Sequence, residues 1–134
     1  MDDRASLQSE DQEYDFEMFT LGQKRRLDQL IASTSARKER FVSPSNLFCD
    51  PAWDILLDLF DATMKSRAVS ITSACAASGV AQTTALRYIR VMEDEGLITR
   101  KSDETHARRA ILSIAAPGFA SMHSYVRWLE EANA

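Results

Sequence analysis

Glycine, proline, cysteine and histidine are all scarce in this chain, and each shortage removes a class of function. Four glycines are scattered over 134 residues, with no cluster to wrap a nucleotide phosphate. The two cysteines, Cys49 and Cys75, stand far apart and form no CxxC pair. They read as small buried hydrophobes. The two histidines, His106 and His123, are isolated as well, so neither a zinc-ligand spacing nor a nucleophile–base set is available. No apolar run is long enough to span a bilayer. The N-terminal stretch "MDDRASLQSEDQEYDFE" lacks the apolar core of a secretory leader. The expectation is a cytoplasmic chain that is not an enzyme, holds no metal and no cofactor, and enters no membrane.

What is present is an uneven distribution of charge. The net charge is −4, which by itself argues against nucleic acid. Residues 1–17 carry seven acids against Arg4, a net of −6, whereas residues 65–109 carry eight bases against five acids, a net of +3. An acidic tail thus precedes a mildly basic module. A hydrophobic fraction of 45% supplies one modest core, and the length fits one domain with extensions.

The tail, 1–17, is polar and without period and reads as disordered. From Thr20 to about Arg40 the pattern is helical. Its narrow apolar stripe of Leu27, Leu30, Ile31 and Thr34 is set among Lys24, Arg25, Arg26, Arg37 and Lys38. Such a stripe suits a helix docked on something else. Residues 18–46 are therefore taken as an N-terminal helix used in dimerisation. "FVSPSNLFCDP" breaks it.

Asp50 as N-cap with Pro51 at the first position starts a second helix running to about Lys65. Trp53, Leu56, Leu57, Phe60 and Met64 form its expected core face. Ile55 and Leu59 form another stripe, left over for an interface. "AVSI" at 68–71 reads as a short strand. Thr72 caps a brief helix, 73–78, and Gly79 turns the chain into a further helix over 81–95, stopped by Gly96. "LITRK" and "RAILSI" alternate as strands around the loop "SDETHAR". Pro117 opens a last helix, 117–134, with Phe119, Met122, Val126 and Leu129 on one face and Tyr125 beside it.

Helix, short strand, helix, turn, helix and hairpin over 47–116, followed by a helix, is the order of a winged helix-turn-helix. The fold class is mainly α with a small β-hairpin, plus N- and C-terminal helices. At about 100° per residue, Ala85, Ile89 and Met92 cluster in one arc of the helix at 81–95, and Thr83, Arg87, Arg90 and Asp94 fall opposite. Arginine on the face that enters a major groove pairs with guanine or phosphate. Gln82 and Thr84 lie near the helix N-terminus, where free N–H groups favour phosphate. The wing adds Lys101, with Arg100 beside it, both suited to phosphate. Arg108 and Arg109 follow the loop, one of them suited to a narrow minor groove. Trp53, Phe60, Tyr88, Tyr125 and Trp128 read as core, with an effector pocket as the other reading. No residue pattern specifies a small-molecule effector.

The stretch "SGVAQTTALRYIRVMEDEGLITRKSDETHARRAILSIAAPG" resembles the core of the MarR family of winged-helix regulators. The shared points are an acidic helix end followed by "GLI", a D-x-x-D-x-R-like wing and the helix start "SIAAPG". "LFCDPAWDILLDLF" with "TTALRYI" is similar to a short MarR-like group of alphaproteobacteria. The resemblance covers about 47–120. It implies a homodimeric, sequence-specific regulator bound to double-stranded DNA, with Arg108 as the wing arginine. Asp103 and Arg108 match the wing pattern, but His106 stands where its second acid belongs. It is either a plain exposed histidine or a pH-sensitive element of the wing. Only 20–40 and 117–132 remain for dimerisation. The competing expectation is a winged-helix protein–protein adaptor without DNA binding, which would have no need of exposed Arg87 and Arg90 together with wing arginines.

Overall fold

A computed structural model describes residues 19–102 and 109–133. The expectations for the acidic tail, and for Asp103, His106 and Arg108 in the wing loop, lie outside the described residues.

Helix α1 (Leu21–Arg40) begins where Thr20 makes a capping box. The Gln23 N–H donates to Thr20 Oγ1 at 3.1 Å, and the Thr20 N–H donates to Gln23 Oε1 at 3.3 Å. Two of the four orphan donors of the helix start are met in this way. Arg37, Lys38 and Arg40 occupy the last turn, where the dipole favours cations. Leu27 and Thr34 are buried, and Leu30 and Ile31 pack against the core. The stripe therefore docks inside its own chain. Just before α1, Phe19 lies 5.7 Å from the Phe60 ring and 5.0 Å from His123.

Helix α2 (Pro51–Met64) is central, and here the structure corrects the sequence reading. Ile55, at 0% exposure, and Leu59, at 1%, are deep core together with Phe60. Trp53, Leu56 and Met64 are only partly buried. The stripe expected to be free for an interface is thus enclosed. α2 is apolar on two sides, and the elements packed on it decide which side is covered more completely. Asp50 stands at the N-cap but makes no side-chain capping bond; its carbonyl accepts the Asp54 N–H at 2.9 Å.

Strand β1 (Val69–Ser70) leads directly into helix α3 (Ile71–Ser78). The cap is Ser70, not Thr72: its Oγ accepts the Ser73 N–H at 3.1 Å. Ser70 ends a strand, so its backbone is already extended, as an N-cap requires. Gly79 then turns at φ 76° into helix α4 (Gln82–Asp94).

Glycine is required again at Gly96, φ 76°. The Leu97 N–H donates to the Met92 carbonyl and the Gly96 N–H to the Glu93 carbonyl, both at 3.0 Å, which is a Schellman stop. Strands β2 (Ile98–Ser102) and β3 (Ala110–Ile114) pair antiparallel, with Arg100 opposite Leu112 and Lys101 opposite Ile111. β1 joins the other edge of β3, giving the sheet order β1-β3-β2. Helix α5 (Ala116–Ala132) starts one residue before Pro117 and buries Gly118, Met122 and Val126. A Cβ on Gly118 would lie 2.5 Å from the Leu97 carbonyl oxygen, so this helix start tolerates no side chain.

The architecture is thus the expected one: helices enclosing a single core, with a small antiparallel sheet as the base of a wing. Among the described residues no helix is long and apolar enough to cross a membrane.

Candidate nucleic-acid interface

α4 is held by Ala85, Ile89 and Met92, all buried at 3% exposure or less. That anchoring leaves the opposite face outward. Gln82, Thr83, Arg87 and Arg90 are exposed along it, and Thr84 is half-buried on the first turn. Neither arginine has an ion-pair partner among the described residues, so both guanidinium groups keep their forked donors available. The helix start also lacks a side-chain cap, and its first N–H groups add positive potential there.

The hairpin supplies a second group of cations. Lys101 and Arg109 are exposed. Arg100 departs from the sequence reading. Its Nη2 lies 2.7 Å from Glu93 Oε1 and its Nε 3.2 Å from Glu93 Oε2. This bidentate pair ties β2 to α4 and neutralises the charge that composition offered to phosphate.

The structure also brings in residues that sequence reasoning missed. An open groove of about 870 Å³ is lined by Ser70, Thr72 and Ser73 at the start of α3 and by Arg100 and Arg109 of the hairpin. Arg109 is the cation there without an ion pair among the described residues. The only sequence signal was the S-x-x-S spacing that makes the cap; the hairpin that closes the groove is remote in the chain.

The aromatic residues divide. Phe60 is core, with Phe119 5.1 Å away. Trp53 and Tyr125 meet edge to face at 5.5 Å and line a cleft of about 370 Å³ with Arg37 and Asp50. Trp128, Tyr88 and Tyr125 are exposed, contrary to the core reading.

No protein-family model and no curated protein matches the chain. Solved structures do. The S. aureus MepR–DNA complex, 17% identical, aligns over 90% of this chain and 86% of that chain with a TM-score of 0.56. Heme-free PefR, 19% identical, aligns over 63% of this chain and 71% of that chain with a TM-score of 0.51. A mutant MepR from a multidrug-resistant S. aureus clinical isolate, 18% identical, aligns over 52% of this chain and 49% of that chain with a TM-score of 0.48. In that last case the chain spans about half the length of the structure it matches. At these identities what is shared is the backbone arrangement: this chain has the winged helix-turn-helix fold seen in MepR bound to DNA.

Proposed function

We propose that the chain is a sequence-specific DNA-binding transcriptional regulator of the MarR type, acting as a homodimer on double-stranded DNA. One observation carries the reading. The face of α4 opposite Ala85, Ile89 and Met92 presents Thr83, Arg87 and Arg90 to solvent without ion-pair partners among the described residues. That is the face a helix-turn-helix lays in the major groove. The fold shared with the MepR–DNA complex supports it.

In this reading Arg87 and Arg90 reach base edges or phosphates from the groove, and Gln82, Thr83 and Thr84 meet the backbone near the helix N-terminus. Lys101 and Arg109 hold phosphates beside it, and Arg108 takes the minor groove. The dimer forms through α1 and α5, where Leu21 and Trp128 remain exposed, and it sets two copies of α4 one helical turn of DNA apart. The activity is binding rather than catalysis, and its place is the cytoplasm.

The experiment is selection of bound sequences from random duplex DNA, followed by titration of Arg87→Ala and Arg90→Ala on the selected site. Each variant should lose about 1–3 kcal/mol of specific binding and keep its thermal stability. If both bind the selected site like wild type, this helix is not in the groove.

A further inference from the structure

The exposed surface of α4 is not uniformly polar, and its two flanks differ. At about 100° per residue, Glu93 and Leu86 lie on one side of the outward stripe and Tyr88 and Val91 on the other. The Glu93 flank faces the wing, because Glu93 is held by Arg100 of β2. The Tyr88 flank is the one turned away from it. There Tyr88 is 40% exposed and Val91 47%, against 37% for Leu86 on the wing flank, and Tyr88 makes no ring contact or side-chain hydrogen bond among the described residues.

Helical side chains lean toward the helix N-terminus. The Tyr88 ring therefore covers the turn that carries Thr84, beside Arg87. This turn belongs to the N-terminal part of the helix, whose residues contact base edges. An exposed aromatic ring there leaves apolar area in water until something apolar meets it. The apolar group that B-DNA offers in its major groove is the C5-methyl of thymine.

We infer that Tyr88, with Val91 behind it, reads a thymine methyl group on the side of the recognition helix away from the wing, and so adds a specificity-determining contact to those of Arg87 and Arg90. The inference rests on the DNA-binding reading above and sharpens it. The arginines select guanine or grip phosphate, and Tyr88 selects thymine at a neighbouring position of the same half-site. The contact is made by the ring and does not use the hydroxyl.

The test replaces each thymine of the selected site, one at a time, by deoxyuridine, which removes only the methyl group. The wild-type chain should lose about four-fold in affinity at one position per half-site, the worth of one buried methyl. Tyr88→Ala should bind the thymine and deoxyuridine versions of that position equally. Tyr88→Phe should discriminate like wild type. Indifference of the wild-type chain to every replacement overturns the inference, as does persistence of the discrimination in Tyr88→Ala or its loss in Tyr88→Phe. Lack of any sequence preference by the wild-type chain on duplex DNA overturns the DNA-binding reading itself, and this inference with it.

Discussion

The seam between α1 and α2 and the outer face of α4 are both rich in charge, and they handle it in opposite ways. In the seam Lys38, Lys65 and Arg67 are held by carboxylates. Lys38 Nζ lies 3.0 Å from Asp54 and also donates to the Ala77 carbonyl at 3.0 Å. Lys65 lies 2.7 Å from Asp61 and 3.5 Å from Asp28. Arg67 reaches Asp58 at 3.0 Å and Asp61 at 3.4 Å. On α4 and the hairpin, Arg87, Arg90, Lys101 and Arg109 stand without such partners among the described residues, and only Arg100 is paired. The side chains are of the same types, so residue type does not separate structural charge from binding charge. Neighbours do. A cation held by a carboxylate is neutralised at short range. An unpaired one projects its field into solvent, where it can exchange counterions for phosphate.

Lys38 is the seam cation with the most deeply buried partner. Asp54 keeps only 3% of its side chain exposed. Burial raises its pKa above the usual carboxylate value even though the Lys38 ammonium pulls the other way. Lys38→Met leaves this carboxylate alone and should cost about 3 kcal/mol in denaturant unfolding at neutral pH. A carboxylate whose folded pKa is raised favours the protonated form in the fold, so the cost should shrink as the pH is lowered. DNA affinity of the folded fraction should be unchanged. A loss of binding without a loss of stability would place Lys38 in the interface instead.

The hairpin arginines sharpen the contrast at smaller scale. Arg109→Ala should weaken all DNA sites about equally and reduce the salt dependence of binding by about one unit of slope. Arg100→Ala should leave that slope unchanged, because Glu93 already neutralises Arg100. Equal slopes for the two variants would mean that the pair opens on DNA.

The acidic N-terminus bears on the same unpaired cations. Residues 1–17 sum to −6, and a tethered polyanion competes with phosphate for a basic face. Deletion of residues 1–15 should tighten non-specific binding at low salt, with little change in melting temperature. Unchanged affinity at low salt would leave the segment free for a protein partner.

The smallest effect is expected at His123. Burial lowers its pKa below the ordinary 6.5, helped by the nearby charge of Arg127, and its ring lies between Phe19 and Phe119. The unfolded chain protonates first as the pH falls. Stability should therefore begin to drop below about pH 6.5 and level off once the folded form also takes up the proton. His123→Phe should flatten that part of the stability–pH curve. An unchanged curve would assign the acid sensitivity to other groups.

The order of the elements and the inward arc of α4 follow from local sequence alone. Those features depend on neighbours a few residues away. Ala85, Ile89 and Met92 recur at helical spacing, and Gly79 and Gly96 supply the left-handed turns that bound the helix. Arg87 and Arg90 were legible as outward for the same reason. The rest depends on how remote elements pack. Ile55 and Leu59 are enclosed rather than free because α2 packs on two sides, and the pattern marks both sides as apolar without ranking them. Ser70 rather than Thr72 caps α3 because β1 pairs with β3, a strand far along the chain. Arg100 is neutral in effect because the hairpin brings it to Glu93 on one flank of α4, and Tyr88 stays part-exposed on the flank turned away from that contact. Local spacing specifies which face a side chain is on; the packing of remote elements specifies what that face meets.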